Sequence, residues 1–240
     1  MLHGISPVEA CLLARRRSIQ ELLLREKPSG RLLELRRLAE AGGIPCREIS
    51  VHDLGNLSRS QQHQGVVLRC GELPTLELED LLQLDPSLIV ALDQIEDPQN
   101  LGGIARSAKY FGAGGLIILR AHSAPLSAAA SKASAGTLES LPVARVGNLA
   151  QSLRRLRDRG YQIVGADLGD DTLPADRWDP APRSVLVLGA EGTGMRRLSR
   201  DLCELRLHLV GGGGAESLNV SVAAGILMNI WRKHVGEGGA

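Results

Sequence analysis

The chain has 240 residues, 43% of them hydrophobic and only 2% aromatic, with a formal net charge of +1. That length and apolar fraction support one large or two small packed domains. No run of eighteen apolar residues exists, which argues against a membrane-spanning helix, and the scarcity of aromatics excludes an RNA-recognition-motif sheet that stacks bases.

Arg15-Arg16-Arg17 follow the short apolar run Cys11–Ala14, the reverse of a secretory signal, so the expected location is the cytoplasm. Cys11, Cys46, Cys70 and Cys203 lie too far apart for a CxxC zinc or redox framework and are expected as reduced thiols. The near-neutral balance hides arginine clusters at 15–17, 154–159 and 196–200, which permit nucleic-acid binding without requiring it.

In chain order, Ser6-Pro7-Val8-Glu9 predicts a helix start with a hydroxyl cap, proline at the first helical position and Glu9 closing a capping box, the helix running to about Arg16. Ile19–Leu24 predicts a strand. Arg31–Ala41 carries Leu32, Leu35, Leu38 and Ala39 at helical spacing and stops at Gly42-Gly43. Ile44–Ser50 and Gly65–Cys70 predict further strands. Together these elements describe a small α/β domain over residues 1–72. Residues 73–86, with Pro74, an acidic leucine-rich helix and Pro86, have the composition of a linker to a second domain at 87–240.

In that second domain, Leu88–Leu92, Leu116–Leu119, Gln162–Ala166 and Val185–Leu188 are continuous apolar runs, the pattern of strands covered on both faces. Helical stretches separate them, so the fold class is α/β with a mostly parallel sheet. Glycine-bearing segments beginning at Asp97, Gly189 and Gly211 follow strands or lead into helices. Ligands of open α/β sheets bind beyond the carboxyl ends of strands, so these loops are expected to converge on one site. Gly189-x-x-Gly192-x-Gly194 lacks the order of a dinucleotide fingerprint, and no GxxxxGK[ST] phosphate loop occurs, which weakens nicotinamide and ATP chemistry. Polar side chains gather where loops meet helices: Asn100, Arg106, Glu191, Ser217 and Asn219. Asn219 as a mere helix cap and Arg106 as a solvated helix residue are the simpler alternatives.

Three segments, LDQIEDPQNLGGIARSAKYFGAGGLII, LVLGAEGTGM and ESLNVSVAAGILM, resemble in order and spacing the three motifs of SpoU/TrmH-family RNA ribose methyltransferases. HGISPVEACL and HQGVV near the front resemble members with an N-terminal ribosomal-protein-L30e-like domain, bacterial 23S rRNA guanosine-2′-O-methyltransferases above all. The resemblance implies a trefoil-knot (SPOUT) catalytic domain, S-adenosylmethionine as cofactor, and a homodimer whose formation completes the site. It places Gly189, Leu209 and Leu218 where backbone groups hold the cofactor. It also places Asn100, Arg106, Glu191, Ser217 and Asn219 at the polar catalytic positions. One departure is that Leu209-Val210 runs into Gly211–Gly214 where the family shows Ile-Pro-Met.

The family's proposed general base falls at Arg106. A guanidinium, with an ordinary pKa above ~12, costs roughly 7–9 kcal/mol to deprotonate near neutral pH. The alternative is a cation that clamps phosphate and stabilises the nascent alkoxide. Asn100 and Asn219 are expected to orient the arginine and the ribose, Ser217 to add a hydrogen bond, and Glu191 to organise the pocket. Arg15, Arg16, Arg17, Arg59 and His63 are expected to grip RNA through its phosphates. The final apolar helix from Leu218 to about Lys233 is the expected dimer surface. Two rival readings stay in view: a transfer-RNA substrate, and a non-catalytic RNA-binding scaffold, against which the five polar residues argue.

Overall fold

The structure, a computed structural model, describes residues 1–213 and 217–237. Gly214 of the glycine run and Glu216 of the third motif lie outside the described residues. The elements run β1 (Leu2–His3), α1 (Ile5–Ala14), β2 (Ile19–Arg25), α2 (Arg31–Ala41), β3 (Cys46–Ile49), α3 (Val51–Ser58), β4 (Val66–Cys70), α4 (Leu78–Gln83), β5 (Leu88–Asp93), α5 (Pro98–Phe111), β6 (Gly115–Leu119), α6 (Ala128–Ala133), β7 (Val143–Val146), α7 (Leu149–Asp158), β8 (Gln162–Ala166), β9 (Leu173–Pro174), β10 (Ser184–Gly189), α8 (Arg197–Arg200), β11 (Leu205–His208) and α9 (Val220–Glu237). They form two units: Met1–Pro74 with Pro125–Ser140, and Thr75–Ala124 with Leu141–Ala240.

The first unit is a four-stranded sheet in the order β1-β4-β2-β3, with β2 and β3 parallel and the other pairs antiparallel. The period of two along β2 decides the packing. Leu22 and Leu24 join Val8, Leu12, Leu32, Leu35 and Leu68 on the face covered by α1 and α2, while Leu23 packs with Leu54 and Val67 on the other face. Helix α1 starts earlier than Ser6 predicts. Gly4, at φ 91°, turns the chain, and the Ile5 N–H donates to Gln64 Oε1 at 2.8 Å, so a distant amide does the work of a local hydroxyl. Pro7 then sits in the first turn, where no intrahelical donor is required. Glu9 pairs with Arg31 at 2.5 Å instead of reaching back. Helix α3 was not anticipated, although Ser50 caps it by accepting from the Asp53 N–H at 3.1 Å.

Residues 125–140, expected within the second domain, belong to the first unit. The fastening is a buried ion pair. Arg17 Nε and Nη2 donate to Glu139 Oε2 and Oε1 at 2.7 and 2.9 Å, and Ser131 Oγ donates to Glu139 Oε1 at 2.8 Å. The two ionic side chains are only 5% and 1% exposed. Arg17 also donates to the Gly71 and Leu126 carbonyls, and Arg16 to the Glu139 and Pro74 carbonyls. Burial opposes the Arg17 charge, but the hydrogen bonds and charge of Glu139 hold its guanidinium above the ordinary value. Gly136 permits the approach, because a Cβ there would lie 2.6 Å from Ser6 O. Arg17 is therefore corrected from an RNA contact to a structural residue: it is buried, and its guanidinium is committed to Glu139 and main-chain carbonyls.

The second unit is a seven-stranded sheet among the described residues, in the order β7-β6-β5-β10-β8-β11-β9, with every pairing parallel. Strands β5, β6 and β10 are buried along their whole length, as their continuous apolar runs predict. The stretch expected as linker is partly core. Leu78, Leu81 and Leu82 of α4 pack with Ile89, Ile117, Ala144 and Leu153, since three leucines at helical spacing make an apolar face that must be covered. Helices α5 and α9 pack closely at Gly103, whose Cβ would come within 2.9 Å of Ser221 Cβ.

The buried pair gives a direct stability test. Glu139→Gln leaves the Arg17 charge without its counter-ion and is expected to cost about 3–5 kcal/mol in denaturant unfolding. The exposed control Glu34→Gln is expected to stay within about 0.5 kcal/mol of the parent. Equal effects in the two variants would show that Arg17–Glu139 holds nothing together.

Candidate active site

The order of the sheet brings the carboxyl ends of β5, β10, β8 and β11 side by side, and the three motif loops leave from these ends. Asp97 caps α5 by accepting from the Gln99 N–H at 2.9 Å, with Pro98 opening the helix, and this places Asn100 in the first turn. Asn100 is 8% exposed. Asn219 precedes the first residue of α9, and Glu191 lies on the turn that follows β10.

These three side chains meet. Asn219 Nδ2 donates to Asn100 Oδ1 at 2.9 Å and to Glu191 Oε1 at 2.6 Å, while Asn219 Oδ1 accepts from Ser221 N at 2.9 Å and Ser221 Oγ at 2.6 Å. Both donors and both acceptor sites of the amide are used. The reverse amide orientation would set Oδ1 against the Glu191 carboxylate, so the network itself fixes which atom is nitrogen. Glu191 Oε1 also accepts from the Val220 N–H at 3.3 Å, which puts a carboxylate at the positive end of the α9 dipole. Asn219 is thus a helix cap and, through the same amide, the tie between the loops after β5 and β10. Every polar valence of its amide is engaged within the chain.

A second tie was missed in the sequence. Asp93, wholly buried at the end of β5, accepts from Arg196 Nε at 2.7 Å and from the Arg196 N–H at 2.9 Å, anchoring the far end of the Gly189–Met195 turn. Its signal was a lone acid ending the apolar run Leu88–Leu92. Gly189 is required sterically. A Cβ there would lie 2.2 Å from Gly194 C and Met195 N, because the turn folds back over the strand end and closes with Gly194 N donating to Ala190 O at 2.9 Å.

The remaining expected residues divide. Arg106 is exposed, with no hydrogen-bond or ion-pair partner among the described residues, and lies about 120° around α5 from Asn100, so it does not join the Asn219 cluster. Ser217 is exposed and, among the described residues, makes no side-chain hydrogen bond to the other four. Leu209 is partly buried and Leu218 is 50% exposed. Arg15 and Arg59 are exposed. His63 is corrected from an RNA contact to a structural residue: it is 4% exposed, and its Nδ1 accepts from the Gly65 N–H at 3.0 Å, shaping the turn into β4.

The residues fit S-adenosylmethionine. The segments that carry Gly189 and Gly211–Gly213 lie at the carboxyl ends of β10 and β11, where an open parallel sheet offers main-chain donors and acceptors of the kind a nucleoside takes. The glycine-rich, uncharged main chain at Gly189 and Gly211–Gly213 suits an adenosine and an amino-acid tail.

Asn219→Asp tests the tie. It replaces a double donor with a carboxylate facing Glu191, and it is expected to lower S-adenosylmethionine affinity at least roughly tenfold by isothermal titration, because displaced loops no longer present their backbone groups. Wild-type affinity in this variant would show that the bridge does not organise the pocket.

The sequence profile of the SpoU rRNA methylase family matches residues 87–229, and that of RNA 2′-O ribose methyltransferase substrate binding matches residues 1–76. An uncharacterized tRNA/rRNA methyltransferase of Mycobacterium ulcerans is 40% identical over 230 residues, 94% of this chain and 74% of the relative. One of Mycolicibacterium gilvum is 39% identical over 203 residues, 82% of this chain and 64% of the relative. Among solved structures, the SpoU methyltransferase AviRb of Streptomyces viridochromogenes with AdoMet superposes with a TM-score of 0.81 at 25% identity, covering 99% of this chain and 90% of that one. An AdoMet-bound rRNA methyltransferase of Sinorhizobium meliloti does so at 0.81 and 26%, covering 97% and 86%. The expected α/β fold class, with a mostly parallel sheet in the second domain, matches these methyltransferase structures, and the N-terminal substrate-binding domain is present as well. The chain belongs to the SpoU rRNA methylase family, whose members are S-adenosylmethionine-dependent RNA methyltransferases.

Proposed function

We propose that this chain methylates the ribose 2′-hydroxyl of a guanosine in 23S ribosomal RNA, working as a homodimer in the cytoplasm. The observation that carries the reading is the Asn219 bridge, which draws the first and second motif loops to the start of α9. When bound, S-adenosylmethionine supplies an electrophilic methyl group. The chain's own part is to hold the cofactor through Gly189, Leu209 and Leu218, to keep the pocket in shape through Asn100, Glu191 and Asn219, and to bring a cation to the oxygen that is losing its proton. Exposed and unpaired in one protomer, Arg106 suits the cationic role: a phosphate clamp and a stabiliser of developing negative charge, with Ser217 adding a hydrogen bond. In the first unit, Arg15 and Arg59 retain free guanidinium groups for RNA phosphates.

The dimer supplies what one protomer lacks. Gly103, Ser107 and Phe111 of α5 with Val222, Gly225 and Ile226 of α9 line an open groove, in which Val222 is 50% and Ile226 37% exposed. A second copy laid across this face covers the apolar side chains and brings the exposed Arg106 of α5 close to the interface. No helix among the described residues is long and apolar enough to cross a membrane. A transfer-RNA substrate is the second reading, favoured by the relatives described as tRNA/rRNA methyltransferases.

Incubation with tritiated S-adenosylmethionine and unmodified 23S rRNA or bulk tRNA is expected to label the rRNA, and Arg106→Ala to lower the rate by at least roughly 10²-fold. Label in tRNA alone would select the second reading, and transfer to neither RNA would favour the scaffold. Ile226→Glu is expected to sediment as a monomer and to lose transfer with its dimer; an active monomer would remove the shared site.

A further inference from the structure

Tyr110 is out of place in this chain. Of its two tryptophans, two tyrosines and one phenylalanine, Trp178, Trp231 and Tyr161 are 1–2% exposed, whereas Tyr110 is 83% exposed. It lies four residues beyond Arg106, on the same face of α5 and about 6 Å along the helix axis. Phe111 meets its ring edge-on at 90° with centroids 5.0 Å apart, a contact that steadies a side chain otherwise in water. Arg106 and the adjoining Lys109 are both exposed, and neither has an ion-pair partner among the described residues.

We infer that Tyr110 is an RNA-binding residue whose ring stacks on a base flanking the methylated ribose. The inference rests on the reading that Arg106 works at that ribose. A phosphodiester chain passing Arg106 brings a neighbouring base within reach of a ring one helical turn away. Stacking needs only a π face and so tolerates any base, while the flanking cations complement the backbone. The same two cations disfavour a protein partner that presents an identical basic surface directly opposite. Tyr110 then aligns the target nucleotide and leaves cofactor binding alone.

The test measures the KM for a full-length, unmodified 23S rRNA transcript, the cofactor Kd, and photo-cross-linking to a 5-bromouridine-substituted transcript, using the intact protein. Tyr110→Ala is expected to raise the RNA KM roughly 5- to 100-fold with cofactor Kd unchanged, Tyr110→Phe to restore most of the loss, and the wild-type cross-link to map to Tyr110. An unchanged KM in Tyr110→Ala overturns the proposal. So does a shift of Tyr110→Ala to a monomer in sedimentation, which would assign the ring to a protein interface. Full activity in Arg106→Ala would instead sink the underlying reading of the site, and the cross-link at Tyr110 would still decide whether the ring touches RNA.

Discussion

The site depends on one amide. Asn219 closes the start of α9, and its nitrogen joins loops that lie 119 and 28 residues away in the chain. Every valence of the side chain is satisfied, so the bridge has one geometry, and the loops it joins inherit that geometry. Arg196 is fixed in turn by the buried Asp93, and Gly189 lets the turn lie against the strand end. This arrangement places the motif loops at the carboxyl ends of β10 and β11, where an open parallel sheet receives a nucleoside cofactor.

A different constraint shapes the first unit. The Arg17–Glu139 pair buries two charges, which is favourable only because the contact is bidentate and Ser131 and backbone carbonyls take up further valences. The unit is thereby built from two stretches of chain, and residues 125–140 cannot be treated apart from residues 1–74. The chain passes out of this unit at residue 74, back into it at 125 and out again at 140. Removal of the N-terminal residues would strip the Glu139 segment of its partner, so this unit is not an appendage that can be cut away cleanly.

Much of this was legible beforehand. Apolar runs without alternation marked β5, β6, β8 and β10, and Arg31–Ala41 marked α2 to the residue, because burial on two faces and helical spacing leave direct traces. Strands β9 and β11 left none. The first has two residues, and Leu205-Arg206-Leu207-His208 alternates too briefly to separate from a loop. Arg17 misled because sequence shows a charge and not its partner: Glu139 is more than 120 residues distant. Asn100, Glu191 and Asn219 were recognisable as a polar set from their motifs, but that Asn219 would spend its whole amide inside the protein, and that Arg106 would stand apart from it, are consequences of helix phase and packing.

The central claim is that the methyl group goes to a ribose oxygen, and the chemistry of RNA offers a direct reading of it. A 2′-O-methyl group blocks attack of the 2′-oxygen on the adjoining phosphate, so the linkage survives alkali. The measurement is alkaline hydrolysis of 23S rRNA labelled by this protein with tritiated S-adenosylmethionine, followed by separation of the products. Tritium in alkali-resistant dinucleotides that begin with guanosine is the predicted result. Tritium in mononucleotides bearing a methylated base would contradict the account.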